Sequence, residues 1–337
     1  METIILDASQ TENIELCAGI LRDGGLVAFP TETVYGLGAD ALDEKAVAGI
    51  FAVKGRPQDN PLIIHVASID DVAPLVANVP DAFQILANKY WPGPLTLIMR
   101  KSYKVPDSVT AGLDTVAIRM PEHPAALALI RACGTPVAAP SANPSGKPSP
   151  TKAQHVLNDI GGRIPYILDG GDCRVGLEST VLDISGETPK ILRPGGLTHD
   201  ELKSVLGGVD VADGVESVEK PMSPGMKYRH YAPKAPLTAV SGSPDKTAEY
   251  IIPQLNNSTA ALMFEDFAIT HPNVVQYGHS EDHTAQASRL FDALREIDQL
   301  GVSKIYAQLP QEDGLGHAIA NRIKKAAGSS IVDCNEE

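Results

Sequence analysis

Four cations stand where apolar runs give way to polar loops. Lys54 and Arg56 flank a glycine in Lys54-Gly55-Arg56-Pro57-Gln58-Asp59-Asn60-Pro61. A lysine is a compact point charge and an arginine a planar fork, and the two together suit a polyphosphate. At a helix end they also complement the dipole. Arg119 lies inside the apolar run Val116-Ala117-Ile118-Arg119-Met120. A cation there needs a partner, either a substrate carboxylate held bidentately or an internal carboxylate. Arg193 ends another apolar stretch, in Arg193-Pro194-Gly195-Gly196, where it could reach a phosphate. His65 sits within Leu62-Ile63-Ile64-His65, which reads as a half-buried strand position.

Hydroxyl-rich strings accompany these cations. Phe29-Pro30-Thr31-Glu32-Thr33-Val34-Tyr35-Gly36-Leu37-Gly38 follows an apolar strand directly. Pro140-Ser141-Ala142-Asn143-Pro144-Ser145-Gly146-Lys147-Pro148-Ser149-Pro150-Thr151 follows another, and Gly176-Leu177-Glu178-Ser179-Thr180 precedes a third. Ligands of open α/β sheets sit beyond strand C-termini, and such loops can cradle anions. Two stock motifs fail. Gly36-Leu37-Gly38-Ala39-Asp40-Ala41 fits the dinucleotide fingerprint but stands too far from its strand, and Gly146-Lys147 is followed by Pro148, so it is not a Walker A loop. His279 and His283 are spaced i, i+4 without the zinc-protease pattern and read as a surface loop. No nucleophile–base pair is visible. The pattern suits binding and positioning of anions rather than covalent catalysis.

The elements that must position these residues alternate. Ser9-Gln10-Thr11-Glu12 reads as a capping box opening a helix that Gly24-Gly25 stops. Strands follow over 26–29 and 61–66, with a helix capped by Asp43 between them. Helices near 81–90 and 124–132, strands near 95–100, 116–120, 136–139, 166–168, 179–184 and 190–193, and a helix near 198–205 complete a mixed-sheet α/β pattern. Residues 209–236 are punctuated by proline and glycine. The cluster Met226-Lys227-Tyr228-Arg229-His230-Tyr231 makes them a functional linker rather than a plain spacer. From 237 to 337 strands and helices alternate again, as in a small doubly wound unit.

With 337 residues the chain is long enough for two domains. Its 28 basic and 42 acidic residues give a charge of −14, which disfavours a partner held by its phosphate backbone. Cys17, Cys133, Cys173 and Cys334 are scattered, which argues against a zinc site or disulfide framework and for reduced thiols in a cytoplasmic protein. No apolar run is long enough to span a membrane and no signal peptide is visible.

The strings Pro30 to Leu37, Lys54 to Pro57, Pro140 to Gly146 and Arg193 to Gly195 resemble, in order and spacing, the YrdC-type family over residues 1–208. The linker Ser223 to Pro233 and the last unit resemble its long, two-domain form. The resemblance implies a twisted mixed sheet joined through the linker to a Rossmann-like domain. It also implies synthesis of L-threonylcarbamoyl-adenylate and pyrophosphate from L-threonine, bicarbonate and ATP, with Mg2+ accompanying ATP and no protein-bound metal. The product serves threonylcarbamoyladenosine formation in tRNA, through a separate transfer complex. Lys54, Arg56, Ser141 and Asn143 would form the catalytic set. Thr33, His65, Arg119, Ser179 and the backbone at Ala139 would hold threonine. Lys54, Arg56, Asn60, Thr115, Ser141, Ser149, Arg193 and Tyr231 would hold ATP, with the linker around Tyr231 closing over the nucleotide. The competing expectation is an RNA-binding or regulatory module of the same fold. Strong direct tRNA binding is not expected from the charge.

Overall fold

The computed structural model describes residues 1–212 and 230–335, so most of the expected linker, including Met226 to Arg229, lies outside the described residues. Chain contacts divide it into two units.

The first unit carries strands β1 (Ile4–Asp7), β2 (Val27–Phe29), β3 (Gly36–Asp40), β4 (Ile63–His65), β5 (Leu95–Arg100), β6 (Thr115–Arg119), β7 (Val137–Ala138), β8 (Tyr166–Asp169), β9 (Thr180–Asp183), β10 (Lys190–Arg193) and β11 (Asp210–Val211). Its helices are α1 (Thr11–Arg22), α2 (Glu44–Lys54), α3 (Asp81–Tyr90), α4 (Asp107–Thr110), α5 (Pro124–Cys133), α6 (Ala153–Ile160) and α7 (His199–Leu206). The strands form one mixed sheet in the order β1-β8-β2-β3-β7-β4-β6-β5-β9-β10-β11. Period-2 alternation splits its side chains between two cores. Ala28 and Ala138 join the larger core with α2 and α3, whereas Val27, Phe29, Val137 and Ala139 join a second core with α1 and α5.

Local chemistry explains most boundaries. The Asp43 carboxylate accepts from Lys45 N at 2.8 Å and starts α2, and Gly55 ends it with φ of 59°, a left-handed turn that suits glycine. The expected capping box at Ser9 does not form: α1 begins after Gln10, with no side-chain cap. The stretch Gly36 to Asp40, read from sequence as a loop, is strand β3, antiparallel to β2 and β7. Its Gly38 is a packing requirement. A Cβ there would lie 2.9 Å from Phe29 Cε1 and 3.0 Å from Val137 Cγ1.

The described part of the second unit runs over residues 230–335, together with two short stretches, Gly146–Ser149 and Val175–Leu177. Strands β12 (Leu237–Ser241), β13 (Thr259–Met263), β14 (Val274–Gln276), β15 (Lys304–Gln308) and β16 (Ile331–Asp333) alternate with helices α8 (Pro244–Ile251), α9 (His283–Gln299) and α10 (Gly316–Ala327). All strand pairs are parallel, in the order β14-β13-β15-β12-β16. That is the doubly wound pattern read from the alternation, with β16 added. Buried Gln308 ties the strand ends to α8. Its Oε1 accepts from Phe264 N at 2.7 Å, and its Nε2 donates to Thr247 Oγ1 at 2.8 Å.

Candidate active site

The candidate residues of the first unit gather around the ends of β2, β4, β6 and β7. The backbone makes the meeting place. Leu37 N donates to Pro140 O and Ala142 N donates to Tyr35 O, each at 2.8 Å, so the two hydroxyl-rich strings lie side by side. Ala139 N donates to Ile63 O at 2.9 Å, which carries the pairing on to β4.

Lys54 ends α2, and its Nζ donates to Ser141 O and Asn143 O. Ser145 N returns a bond to Lys54 O at 2.9 Å. The lysine thus braces the Ser141–Ser145 loop against the helix end. Burial pushes its ammonium pKa well below the usual lysine range, and the nearby Arg56 charge adds to the shift. Arg56 is also buried. It donates through Nη2 to Pro61 O at 2.9 Å and through Nε to Asn60 O at 3.3 Å, which folds the 56–61 loop around its guanidinium. Asn60 Oδ1 is buried without a hydrogen-bond partner among the described residues.

Arg119 ends β6 and sits opposite Thr96 of β5 and His65 of β4. Sequence left open whether its partner is a ligand or an internal carboxylate. The structure gives it an internal one, Glu32, with Nη2 at 2.7 Å from Oε1. Nη1 donates to Thr33 Oγ1 at 2.9 Å and Nε to Gly93 O at 3.2 Å. Thr33 is held in turn by Thr31, their hydroxyls 2.8 Å apart. His65 is buried, with its ring edge-on to Phe29 and its Nδ1 without a hydrogen-bond partner among the described residues. Desolvation, reinforced by the Arg119 charge, pulls its pKa down to about 3, so the imidazole is neutral at physiological pH.

Arg193 ends β10. It donates from Nη2 to Ser179 O at 2.9 Å and to Ser179 Oγ at 3.1 Å, and from Nε to the same carbonyl at 3.2 Å. Ser179 Oγ also meets Thr96 Oγ1 at 2.7 Å. The close pass that allows this needs Gly195, where a Cβ would lie 2.4 Å from backbone atoms of residues 178–180.

Thr33, His65 and Arg119 therefore share one buried corner, Ser179 and Arg193 a second, and Lys54, Ser141 and Asn143 a third. Thr115 opens the strand that Arg119 ends, roughly 13 Å away along it. Ser149 and Tyr231 belong to the second unit. There the Tyr231 ring packs on Phe291, with centroids 5.2 Å apart, and the Arg322 guanidinium lies 5.5 Å from it. Tyr231 adopts φ of 63°, an uncommon backbone state for a tyrosine. Sequence reasoning missed Glu32, Thr31 and Thr96 as parts of the site. The signal for Glu32 was present, since a buried arginine needs a counter-charge and Glu32 lies inside a string already singled out.

The fold is a mixed α/β sheet with buried arginine and lysine corners at its loop-bearing ends, the place where open α/β sheets carry their ligand sites. Comparison with known proteins makes the class specific. Residues 19–195 match the Sua5/YciO/YrdC family model, whose description reads Telomere recombination, and residues 197–328 match the model described as Threonylcarbamoyl-AMP synthase, C-terminal domain. The chain belongs to this Sua5/YrdC family. It is 48% identical over 325 residues to the threonylcarbamoyl-AMP synthase of Pyrococcus abyssi, covering 95% of each chain. It is 47% identical to that of Bacillus subtilis, covering 95% of this chain and 94% of the relative. The crystal structure of P. abyssi Sua5 complexed with L-threonine superposes with a TM-score of 0.94 at 45% identity, covering 99% of both chains.

Proposed function

We propose that the chain is a threonylcarbamoyl-AMP synthase, joining L-threonine, bicarbonate and ATP to give L-threonylcarbamoyl-AMP and pyrophosphate for tRNA threonylcarbamoyladenosine formation. The observation that carries this reading is the buried Arg119 fork beside Thr33 and neutral His65, set on the same sheet as the Lys54 and Arg193 corners. One corner suits a carboxylate with a neighbouring hydroxyl, and the others suit a polyphosphate.

In this reading Arg119 holds the threonine carboxylate. Thr33, His65, Ser179 and the backbone at Ala139 complete the pocket. Bicarbonate carboxylates the threonine amine, and a carbamate oxygen then attacks the α-phosphorus of ATP. Lys54, Arg56 and Arg193 neutralise the charge that develops toward pyrophosphate. Ser141 and Asn143 position the phosphates, and Asn60, Thr115, Ser149 and Tyr231 contact the rest of the nucleotide. Because His65 is neutral, it orients by hydrogen bonding and adds no charge. ATP enters as its Mg2+ complex; the lysine, arginine, hydroxyl and amide groups around Ser141 complement phosphate oxygens, so the ion travels with the nucleotide.

Residues 1–208 act as the catalytic domain, 209–236 as a linker that closes over the site, and 237–337 as a separate small domain. Exclusion of water by closure protects the carbamate and the mixed anhydride from hydrolysis. No helix among the described residues is long and apolar enough to cross a membrane. We assign the protein to the cytoplasm, where it hands its product to the tRNA-modifying transfer complex without binding tRNA strongly itself.

The deciding experiment incubates the protein with ATP, Mg2+, bicarbonate and a panel of amino acids and measures pyrophosphate. Threonine-selective release supports the reading; release that is independent of any amino acid refutes it.

A further inference from the structure

The Arg119–Glu32 pair is incomplete in an informative way. Nη2 and Oε1 are 2.7 Å apart, yet among the described residues Nη2 and both Glu32 carboxylate oxygens are buried without a hydrogen bond of good geometry. The other Arg119 donors are committed to Thr33 and Gly93. This buried corner therefore holds an ion pair whose donor and acceptors lack a well-formed hydrogen bond among the described residues. Native interiors rarely tolerate this, since a buried polar group without a good hydrogen bond carries its desolvation penalty uncompensated. Among the described residues, Glu32 also interacts electrostatically with His123 and Cys173. Burial lowers the His123 pKa and raises that of the Cys173 thiol, so both are neutral near pH 7. Glu32 and Arg119 thus leave the corner electrically balanced.

We propose that Glu32 receives the α-ammonium of the amino-acid substrate and takes its proton when the nitrogen is carboxylated. This rests on the reading above that Arg119 holds the threonine carboxylate. A zwitterion satisfies both unmet groups at once: its carboxylate accepts from Nη2, its ammonium donates to Glu32, and the corner stays neutral. A ligand with the carboxylate alone would set a second negative charge against Glu32. An ammonium has no lone pair with which to attack. One N–H proton passes to the Glu32 carboxylate, leaving a neutral amine and a carboxylic acid. The amine lone pair then forms the N–C bond to bicarbonate; the amine and HCO3− together give the carbamate anion and one water. Glu32 returns its proton to solvent before the next cycle.

The test compares two ligands by calorimetry in bicarbonate-free buffer: L-threonine, and (R)-3-hydroxybutyrate, which is threonine with the amine replaced by hydrogen. The wild-type protein should prefer threonine by at least about tenfold, the scale of one charge-assisted contact. Glu32→Gln keeps the shape and removes the charge. It should compress that preference to within about twofold while MgATP affinity stays within about twofold, and it should lower the rate of threonine-dependent pyrophosphate release. If Glu32 only props Arg119, the substitution weakens both ligands equally and the preference survives, which overturns the proposal. Equal wild-type affinity for the two ligands also overturns it, and that measurement stands even if Glu32→Gln fails to fold. A wild-type protein that binds MgATP but not threonine overturns the threonine reading itself, a result distinct from either of these.

Discussion

Lys54→Met isolates the brace between the end of α2 and the Ser141–Ser145 loop. The substitution keeps a long unbranched side chain and removes the ammonium. Two charge-assisted bonds disappear, those to Ser141 O and Asn143 O. Such bonds contribute about 1.5–3 kcal/mol each, so the gross loss is about 3–6 kcal/mol. Methionine also relieves the burial penalty of a charge whose pKa is already pushed down by desolvation. That relief offsets part of the loss. A net destabilisation of about 2 kcal/mol remains, equivalent to a urea midpoint lowered by about 1 M for a unit of this size. The assay is built into the sequence. The single tryptophan, Trp91, is buried in the first unit with its Nε1 donating to Leu95 O at 2.7 Å, so its emission reports that unit's unfolding alone. The same variant should raise the MgATP KM for pyrophosphate release by about 10–100-fold, the scale of one charge-assisted phosphate contact. An unchanged urea midpoint together with an unchanged MgATP KM would refute the reasoning.

Arg56→Ala removes the guanidinium around which the 56–61 loop folds, and it should abolish threonine- and bicarbonate-dependent pyrophosphate release. Near-normal release from that variant sinks the phosphate assignment. His65 has a folded-state pKa of about 3 against an unfolded value near 6.5, so the unfolded chain binds more protons between those values. Stability is therefore full above about pH 6.5 and falls as pH drops toward 3, by up to about 4–5 kcal/mol. His65→Asn, which does not titrate, should flatten that part of a pH series of urea midpoints read at Trp91; an unchanged slope counts against a buried neutral imidazole. Gly38→Ala forces a methyl to within about 3 Å of Phe29 and Val137. It should lower the stability of the first unit by about 1–3 kcal/mol in the same unfolding assay, and a neutral result would mean that the β2-β3-β7 contact can relax.

Much of the fold is legible in the chain because its causes are local. Asp43 and Gly55 bracket α2, and the alternation after residue 237, broken only where β14 follows β13 directly, yields a parallel five-stranded unit. The misses have physical reasons. Gly36 to Asp40 lacks the bulky residues of a typical strand because Phe29 and Ala139 press on its glycines, so a strand reads as a turn. Ser9 matches a capping pattern, but α1 begins after Gln10 and leaves its hydroxyl unused as a cap.

The sequence by itself determined where the cations and hydroxyl strings lie, that they adjoin strand ends, and which family the chain resembles. Only the tertiary structure decided who meets whom. Lys54 reaches Ser141 across 87 residues, and Thr96 meets Ser179 across 83. Arg119 finds Glu32, the internal carboxylate that the sequence left open beside a substrate carboxylate. Those pairings follow from sheet order and register, which are set by burial of the two core faces and carry no local signature. The same burial encloses Arg119 and Glu32 together, so the pair is visible only once the sheet is assembled.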